Sequence, residues 1–335
     1  MNSVPSSIAN TLTVSDTQQL AVLERSGMIE SRHLGAAVVL APDGSEMRRL
    51  GNPDALIYPR STLKPMQAIA VLRSGVTLTD EQLVLASASH TGSQRHQDVT
   101  ESTLRAYGLS AADLRCPPDW PADSAARRAA DAPTRQAMNC SGKHASFLAA
   151  CVVNGWPLES YLESEHPLQV RIRETVVEFT GTEPAHEGTD GCGAPVFALS
   201  LVSLATAIQR IATARVESDL HAHALISAIR ANAWGLDMPQ VAEAMNALGI
   251  VAKRGAEGVL IAAAPNGTTV TLKILDGSIR PLLPVGLSLL VEAGALDADA
   301  VAAVLESTTE KVLGRGLPVG ALRFELSEDS GAVGG

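Results

Sequence analysis

The spacing of apolar residues predicts strands near both ends of the chain and helices between them. Short apolar runs at Leu20–Arg25 and Gly35–Leu40 are typical of strands. A second pair of strands is predicted at Val259–Ala264 and Thr269–Lys273, and the segment Pro265-Asn266-Gly267 between them is a hairpin signal. We therefore expect a sheet to which both ends of the chain contribute.

The region between these strands is predicted to be mostly helical. Its first helix begins at Ser61 and extends to about Arg73, with apolar residues on one face. The other predicted helices cover residues 80–88, 96–107, 144–153, 167–179, 195–213, 218–234, 238–248, 282–293 and 297–313. The predicted fold class is α/β of the α+β type, with an antiparallel sheet from both chain ends, flanking helices and an inserted helical region.

The predicted domain organisation is simple, because no internal repeat or low-complexity linker divides the chain. Residues 1–17 are expected to be a loose N-terminal tail, and residues 18–335 a single domain. The sheet part of this domain is expected at about 18–75 and 250–315, and the helical part at about 80–248.

Composition narrows the functional classes. The chain has 335 residues, of which 46% are hydrophobic and 19% charged, and its net charge is −10. This acidic balance, with no long basic run, argues against binding to a nucleic acid backbone. No apolar run is long enough to span a membrane, and the first residues do not have the pattern of a signal peptide. A cytoplasmic location is therefore expected.

Lysine is scarce in this chain, which has five Lys residues and 21 Arg residues. Where only a positive charge is needed, the chain uses Arg. Each Lys is therefore a candidate for a role that requires an amine able to lose its proton or to bind a metal. An Arg-rich genome would give the same count, so composition alone leaves both interpretations open.

Ser61 and Lys64 form an S-x-x-K pattern at the start of the first predicted helix. Residues at i and i+3 share a helix face, and a neutral Lys amine there can accept the proton of a Ser hydroxyl and make it a nucleophile. The helix N-terminus would favour the alkoxide. A surface Ser beside a solvated Lys has the same spacing, so the pattern alone leaves both interpretations open.

Two of the four cysteines lie in glycine-rich, polar segments. Cys140 belongs to Asn139-Cys140-Ser141-Gly142-Lys143-His144, and Cys192 to Asp190-Gly191-Cys192-Gly193-Ala194-Pro195. Together with a neutral Lys or a His, they could form a metal site with N and S ligands and an open position. Two unrelated cysteines in turns are the alternative. Cys151, on an apolar helix face, is expected to be a buried free thiol.

Two further segments carry candidate polar groups. Ser89 and His90 follow an apolar stretch, in a loop that suits hydrogen bonding to a small polar substrate, although an ordinary Ser/Gly turn looks the same. Lys253 precedes a predicted strand and has a glycine nearby, where it could approach a bound carboxylate or simply be solvated. Lys273 and Lys311 are expected on the surface.

Taken together and in order, these segments resemble the L-asparaginase II family typified by rhizobial enzymes, also called class 3 asparaginases. The resemblance extends from about Leu20 to Leu313. It is carried by segments 30–33 (ESRH), 58–67 (YPRSTLKPMQ), 89–92 (SHTG), 139–144 (NCSGKH), 166–169 (HPLQ) and 190–195 (DGCGAP). The two cysteine-containing segments are highly specific as a set.

This resemblance implies a fold like that of the serine β-lactamases and related S-x-x-K hydrolases, a homodimer, and hydrolysis of L-asparagine to L-aspartate and ammonia. It implies that Ser61 is the nucleophile and Lys64 its base. The resemblance also implies a second Ser–Lys pair, formed by Ser89 and Lys253. It implies zinc ligands at Cys140, Lys143 and Cys192. The substrate-binding residues that it implies are Arg60, His90, His144 and Asp190.

The segment Lys253-Arg254-Gly255 departs from the K-T-G or K-S-G box of many S-x-x-K enzymes, because it lacks the hydroxyl residue. Three other functions stay open at this point. The first is a glutaminase or another ω-amidohydrolase on the same fold. One methylene distinguishes glutamine from asparagine, and a binding pocket gains only about 1–3 kcal/mol of discrimination from it. A penicillin-recognising enzyme is disfavoured, because export is expected of that class. A non-catalytic zinc-binding or redox-sensing protein would use the two cysteines alone.

Overall fold

The structure is a computed structural model that describes residues 10–326. Its strands are β1 (Gln18–Arg25), β2 (Met28–Leu40), β3 (Glu46–Leu50), β4 (Leu56–Ile57), β5 (His186–Thr189), β6 (Pro195–Ser200), β7 (Val251–Gly255), β8 (Val259–Ala263), β9 (Thr269–Ile274), β10 (Val312–Gly314) and β11 (Leu317–Phe324). Its α-helices are α1 (Lys64–Arg73), α2 (Asp80–Ala86), α3 (Gln94–Ala106), α4 (Ser124–Ala129), α5 (Ser141–Asn154), α6 (Pro167–Thr180), α7 (Leu201–Ala212), α8 (Leu220–Ala231), α9 (Pro239–Leu248), α10 (Leu282–Glu292) and α11 (Ala298–Thr308).

The larger sheet is built from both ends of the chain. Its strand order is β10, β11, β1, β2, β9, β8, β7, and β3 also pairs with β2. All of these pairs are antiparallel. The N-terminal strands β1 and β2 therefore lie between C-terminal strands, with β11 on one side and β9 on the other. The predicted α/β class and its antiparallel sheet are confirmed.

Helices cover both faces of this sheet. On β9, the Thr271 hydroxyl donates a hydrogen bond to the Leu201 carbonyl of α7. The next residue, Leu272, lies against Gly286 of α10. Because successive strand residues point to opposite faces, α7 and α10 enclose the sheet between them. The helical block 80–248 follows α1, which contacts α2, α5, α6 and α8.

Two segments of the predicted helical block are strands. Pro195–Ser200, predicted as the start of a long helix, is strand β6, and it pairs with β5 and β4 in a small separate sheet. A short continuous apolar run is compatible with either a buried strand or a buried helix, so its period could not decide. Helix α7 begins only after it, where the Ser200 hydroxyl accepts a hydrogen bond from the Ser203 backbone.

The C-terminal part of the sheet is longer than predicted. The last helix was expected over residues 297–313 but ends at Thr308, and Val312–Gly314 is strand β10, followed by β11. The sheet part therefore continues to Phe324 instead of ending near residue 315. Lys253 precedes the predicted strand, which is β8, but it also lies in a strand that was not predicted, β7, at the edge of the sheet.

The predicted tail and the described residues overlap only in part. Residues 1–9 lie outside the part of the chain that the structure describes. Thr11 forms a bridge with Leu56, and Val14–Asp16 is a short 3₁₀ turn. None of the helices described between residues 10 and 326 has both the length and the apolar character needed to cross a bilayer.

Gly142, in the first turn of α5, allows this helix to lie directly against α2. A Cβ at this position would be 2.7 Å from Leu85 Cβ and 2.7 Å from the Leu85 carbonyl oxygen. Both are held by the backbone of α2, so they cannot move away cheaply. Gly142 therefore fixes the approach of the segment that carries Cys140 and Lys143.

We predict that Gly142→Ala lowers the free energy of unfolding by about 1–3 kcal/mol, because the added methyl overpacks this contact. Urea denaturation would measure the loss. Gly191→Ala is the matched control, since its Cβ would meet only Arg60 Nη2 at 3.8 Å, and we expect a change within about 0.5 kcal/mol. Equal stabilities of the two variants would contradict this account.

Candidate active site

Three of the five lysines are almost completely buried, which is rare for this residue type. Lys64, Lys143 and Lys253 are each 1% exposed. These are the lysines that the sequence singled out, whereas Lys273 is partly exposed and hydrogen-bonded to main-chain carbonyls. The burial of three cationic side chains in one region requires compensating groups nearby.

Ser61 lies in a 3₁₀ turn, Arg60–Leu63, and not in the first turn of an α-helix as predicted. The backbone N–H of Lys64 donates to the Ser61 carbonyl, and Pro65 falls in the first turn of α1, where its missing N–H is harmless. Residues three apart are eclipsed in a 3₁₀ turn, so Ser61 and Lys64 still share one face. No hydrogen bond joins their side chains among residues 10–326.

Arg60 holds this turn in place. Its φ of +55° is in the left-handed region, which costs a non-glycine residue roughly 1–2 kcal/mol. Its Nε donates a hydrogen bond to Asp190 Oδ1 at 2.8 Å, and its Nη2 lies 2.8 Å from the same oxygen in an ion pair. Strained backbone of this kind persists only where surrounding contacts hold it, and it is common at functional sites. The ion pair joins the Ser61 turn to the loop that carries Cys192.

The Ser89 hydroxyl connects two of the buried lysines. Its Oγ is 3.0 Å from Lys64 Nζ and 2.8 Å from Lys253 Nζ. Lys64 Nζ also donates to the Ala88 carbonyl at 2.5 Å and to Cys140 Sγ at 3.0 Å. The predicted second Ser–Lys pair is thus in direct contact with Lys64. A hydroxyl both donates and accepts, so it can pass a proton between two amines.

Lys253 is the lysine best suited to losing its proton. Burial lowers its pKa to about 7, against an opposing effect of the Asp237 carboxylate and with a further lowering by the Lys64 cation. The Nζ atom lies 4.0 Å from Asp237 Oδ2.

Gly255, two residues further along β7, has its Cα close to the Pro59 carbonyl, since a Cβ there would be 2.5 Å from that oxygen. This close approach brings β7 to the Ser61 turn.

Cys140, Lys143 and Cys192 form a second cluster next to Lys64. Lys143 Nζ donates to Cys192 Sγ at 3.1 Å, and Cys140 Sγ lies 2.9 Å from Asn139 Oδ1. A hydrogen bond from Cys140 and the Lys143 cation hold the pKa of Cys192 far below its usual range. The same hydrogen bond and burial raise the pKa of Cys140. One sulfur is therefore a thiolate and the other a thiol in this state.

Metal binding is compatible with this donor set. Sulfur and amine nitrogen are ligands that suit Zn²⁺. Burial opposes the charge on Lys143, but the Cys192 and Cys140 sulfurs outweigh it and raise its pKa, so a metal would have to displace a proton from this amine. No group of three His, Cys, Asp or Glu residues within 10–326 is placed to hold a metal, so the set requires the Lys143 amine. Cys151, as expected, is a buried thiol, with a pKa raised by burial to about 12.

The two histidines predicted to bind substrate are buried and hydrogen-bonded to other side chains of the protein. His90 is buried, and its Nε2 is hydrogen-bonded to Ser141 Oγ at 3.0 Å. His144 Nδ1 is 2.7 Å from the Tyr161 hydroxyl, and its Nε2 has no hydrogen-bond partner in the described part of the chain. Burial lowers the pKa of both, which keeps the rings neutral. Contact between either ring and a substrate stays a prediction.

Sequence reasoning missed Asp237. This residue is 3% exposed and accepts hydrogen bonds from the Arg254 side chain and backbone. A buried carboxylate in a short connection has no periodic signal. Arg254 was noticed only as the residue that replaces the hydroxyl position of the K-T-G box, and its contact with Asp237 was not predicted.

Comparison with solved structures finds similar folds at low identity. The chain is similar to Mglu in its glutamate form (TM-score 0.45, 13% identity, 78% of this chain and 61% of that chain). It is also similar to a β-lactamase from Mycobacterium bovis (TM-score 0.43, 16% identity, 82% and 95%) and to a Bacillus glutaminase (TM-score 0.42, 12% identity, 78% and 91%). The chain spans about three fifths of the length of the Mglu chain. Likeness at this level carries no argument about substrate.

No curated protein matches the chain. A family model does match it, and covers residues 21–324, which include every strand and α-helix described above except the first three residues of β1. Its description is L-asparaginase II. The residues matched hold both Ser–Lys pairs and both cysteine-containing segments. The chain belongs to the L-asparaginase II family of amidohydrolases.

Proposed function

We propose that this protein hydrolyses L-asparagine to L-aspartate and ammonia through a covalent ester on Ser61. The observation that carries the proposal is the hydrogen-bonded series Lys64–Ser89–Lys253 beside the Ser61 turn. Such a series supplies what a Ser nucleophile needs, which is a nearby neutral amine that can take its proton.

In the proposed reaction, Ser61 Oγ attacks the side-chain amide carbon of the substrate. The amide nitrogen then takes up the proton that Lys64 removed from Ser61, the bond from the carbon to this nitrogen breaks, ammonia leaves, and a β-aspartyl ester is formed. Water hydrolyses the ester and restores the Ser61 hydroxyl. Backbone N–H groups of the 3₁₀ turn are proposed to stabilise the oxyanion in both steps.

The proton path uses both lysines. The Lys64 Nζ atom has three hydrogen-bond acceptors, which are Ala88 O, Ser89 Oγ and Cys140 Sγ. Three acceptors match the three N–H donors of an ammonium group. Lys253, with its pKa near 7, can take a proton from Lys64 through the Ser89 hydroxyl. Lys64 would then be neutral and able to accept the proton of Ser61. The base role predicted for Lys64 is thus retained, with Lys253 as its proton acceptor.

Substrate binding is assigned to the Arg60–Asp190 pair. Within residues 10–326, the hydrogen bonds that the Asp190 carboxylate accepts all go to Oδ1, from Arg60 and from its neighbour Gly191. Its Oδ2 can therefore receive the α-ammonium group of an amino acid, and the guanidinium edge can receive the α-carboxylate. A glutaminase is the alternative, since one methylene separates the two substrates and nothing in the site discriminates between them.

We also propose that Cys140, Lys143 and Cys192 hold one Zn²⁺. When bound, the ion would supply a fixed positive charge that orients or polarises a substrate group. The buried Nε2 of His144 has no hydrogen-bond partner within residues 10–326, which supports a further polar group in this pocket. The homodimer is likewise a proposal, which rests on the family alone.

Ser61→Ala should abolish amide hydrolysis, by at least about 1,000-fold in kcat, because no other nucleophile is proposed. Zinc content should stay unchanged. The measurement is ammonia release from asparagine and from glutamine, with metal analysis of the same sample. Ser102→Ala, on α3 away from the site, is the control. A fully active Ser61→Ala variant would remove the ester mechanism, and an inactive wild type with bound zinc would favour the metal-binding alternative.

Cys192→Ala should lose the metal, because two of three protein ligands cannot hold Zn²⁺ tightly. Metal analysis after dialysis would give about one zinc per wild-type chain and almost none for the variant. Cys151→Ala removes an equally buried thiol outside the cluster, and it should retain the metal. Equal zinc contents in all three proteins would exclude the proposed ligand set.

The pH dependence of kcat/KM should show an acid limb near pH 7. Lys253 accepts a proton only when it is neutral, and the neutral fraction rises with pH through its pKa of about 7. Activity should therefore increase from pH 6 to pH 8, about tenfold per unit below the limb. Lys253→Arg should be inactive at every pH, and Lys311→Arg should have the wild-type profile.

A further inference from the structure

Asp237 is a buried carboxylate that the proposed chemistry does not use directly. It lies between the 3₁₀ turn Ala233–Gly235, which follows α8, and the start of α9. Its carboxylate oxygens accept four hydrogen bonds. Oδ2 accepts from the Arg254 backbone N–H at 2.8 Å. Oδ1 accepts from the Arg254 Nε at 3.2 Å, from its Nη2 at 3.0 Å and from the Met238 backbone N–H at 2.7 Å.

The carboxylate therefore hydrogen-bonds to the outer edge of β7. This strand is the last in the sheet order, so its outward backbone groups have no neighbouring strand. Asp237 satisfies the Arg254 N–H at this edge and its guanidinium at the same time. Lys253, the preceding residue, turns its side chain to the other face of the strand and reaches Ser89.

The Lys253 amine and the Asp237 carboxylate are close but not hydrogen-bonded. Their separation of 4.0 Å exceeds that of a hydrogen bond, whereas Lys253 Nζ lies 2.8 Å from Ser89 Oγ. A carboxylate without Arg254 would have this amine as its nearest buried cation. Charge-assisted hydrogen bonds of that kind are short and strong, and would hold the amine away from the hydroxyl.

We propose that Arg254 is a positioning residue, which occupies Asp237 so that the Lys253 amine is left on Ser89 instead of pairing with the carboxylate. This role explains why an Arg, and not a Ser or Thr, follows Lys253. It rests on the proposed function, in which Lys253 receives the proton that leaves Lys64.

The charges around Lys253 support this role. Burial lowers the pKa of Lys253 and Asp237 raises it, while the Lys64 cation lowers it, an ionised Cys140 would raise it, and the Arg254 cation lowers it by the least. His90, the remaining titratable group that senses Lys253, is kept neutral by burial, which lowers its pKa. Asp237 and Arg254 thus act on this amine in opposite directions.

The test compares Arg254→Gln, Asp237→Asn and Arg254→Lys in the full-length protein. Arg254→Gln should move the acid limb of kcat/KM up by roughly one pH unit, because Asp237 is released toward Lys253. At pH 7 this is about a fivefold loss, recovered at higher pH. Asp237→Asn should move the limb down, and Arg254→Lys should restore the wild-type position. Arg105→Gln, exposed on α3, is the control.

A second readout does not depend on activity. Because the chain has only five lysines, selective labelling of their side chains gives few NMR signals, and Lys253→Arg identifies the one that titrates near pH 7. Opposite shifts of this titration in Arg254→Gln and Asp237→Asn support the inference. Unchanged titration with lowered activity or stability overturns it. Wild-type protein that hydrolyses neither asparagine nor glutamine, but shows the opposite shifts, refutes only the proposed function.

Discussion

The interaction on which the site depends is the enclosure of three lysine amines within a few ångströms of hydroxyl, thiol and carboxylate groups. Removing one ammonium group from water has an effective penalty of several kcal/mol, so each amine must find partners or lose its proton. Lys143 keeps its charge beside the Cys192 thiolate, and Lys64 has three acceptors. Lys253 has fewer compensating groups, and burial lowers its pKa to about 7.

The fold brings these amines together from distant parts of the chain. Lys64 comes from the start of α1, Lys143 from the start of α5, and Lys253 from an edge strand of the sheet. Gly142 and Gly255 allow two of these segments to approach their neighbours more closely than any side chain would permit. The site therefore requires tertiary packing at backbone contact distance, and no single element of it would be stable or reactive alone.

Much of this could be predicted from the chain alone. Two strand pairs and most helices followed from apolar spacing, and the Ser–Lys and Cys segments were identified because Lys is scarce and glycine surrounds the cysteines. Strand β6 was missed because a short buried apolar run has no distinctive period. The 3₁₀ turn at Ser61 and the Arg60 conformation depend on Asp190, which is 130 residues away. Asp237 was missed because burial of a single carboxylate is a tertiary property.

The hairpin between β5 and β6 makes two contacts of the site through residues 190–192. Asp190 holds the Arg60 turn, and Cys192 lies in the thiol cluster with Lys143. The hairpin tip is closed by backbone hydrogen bonds from Asp190 N–H to the Ala194 carbonyl and from Gly193 N–H to the Asp190 carbonyl. These two bonds close the tip around Cys192, so the conformation of one short loop sets both the place of the Cys192 sulfur and the contact of Asp190 with Arg60. A change of conformation in this loop would therefore alter the sulfur cluster and the turn that carries Ser61 together.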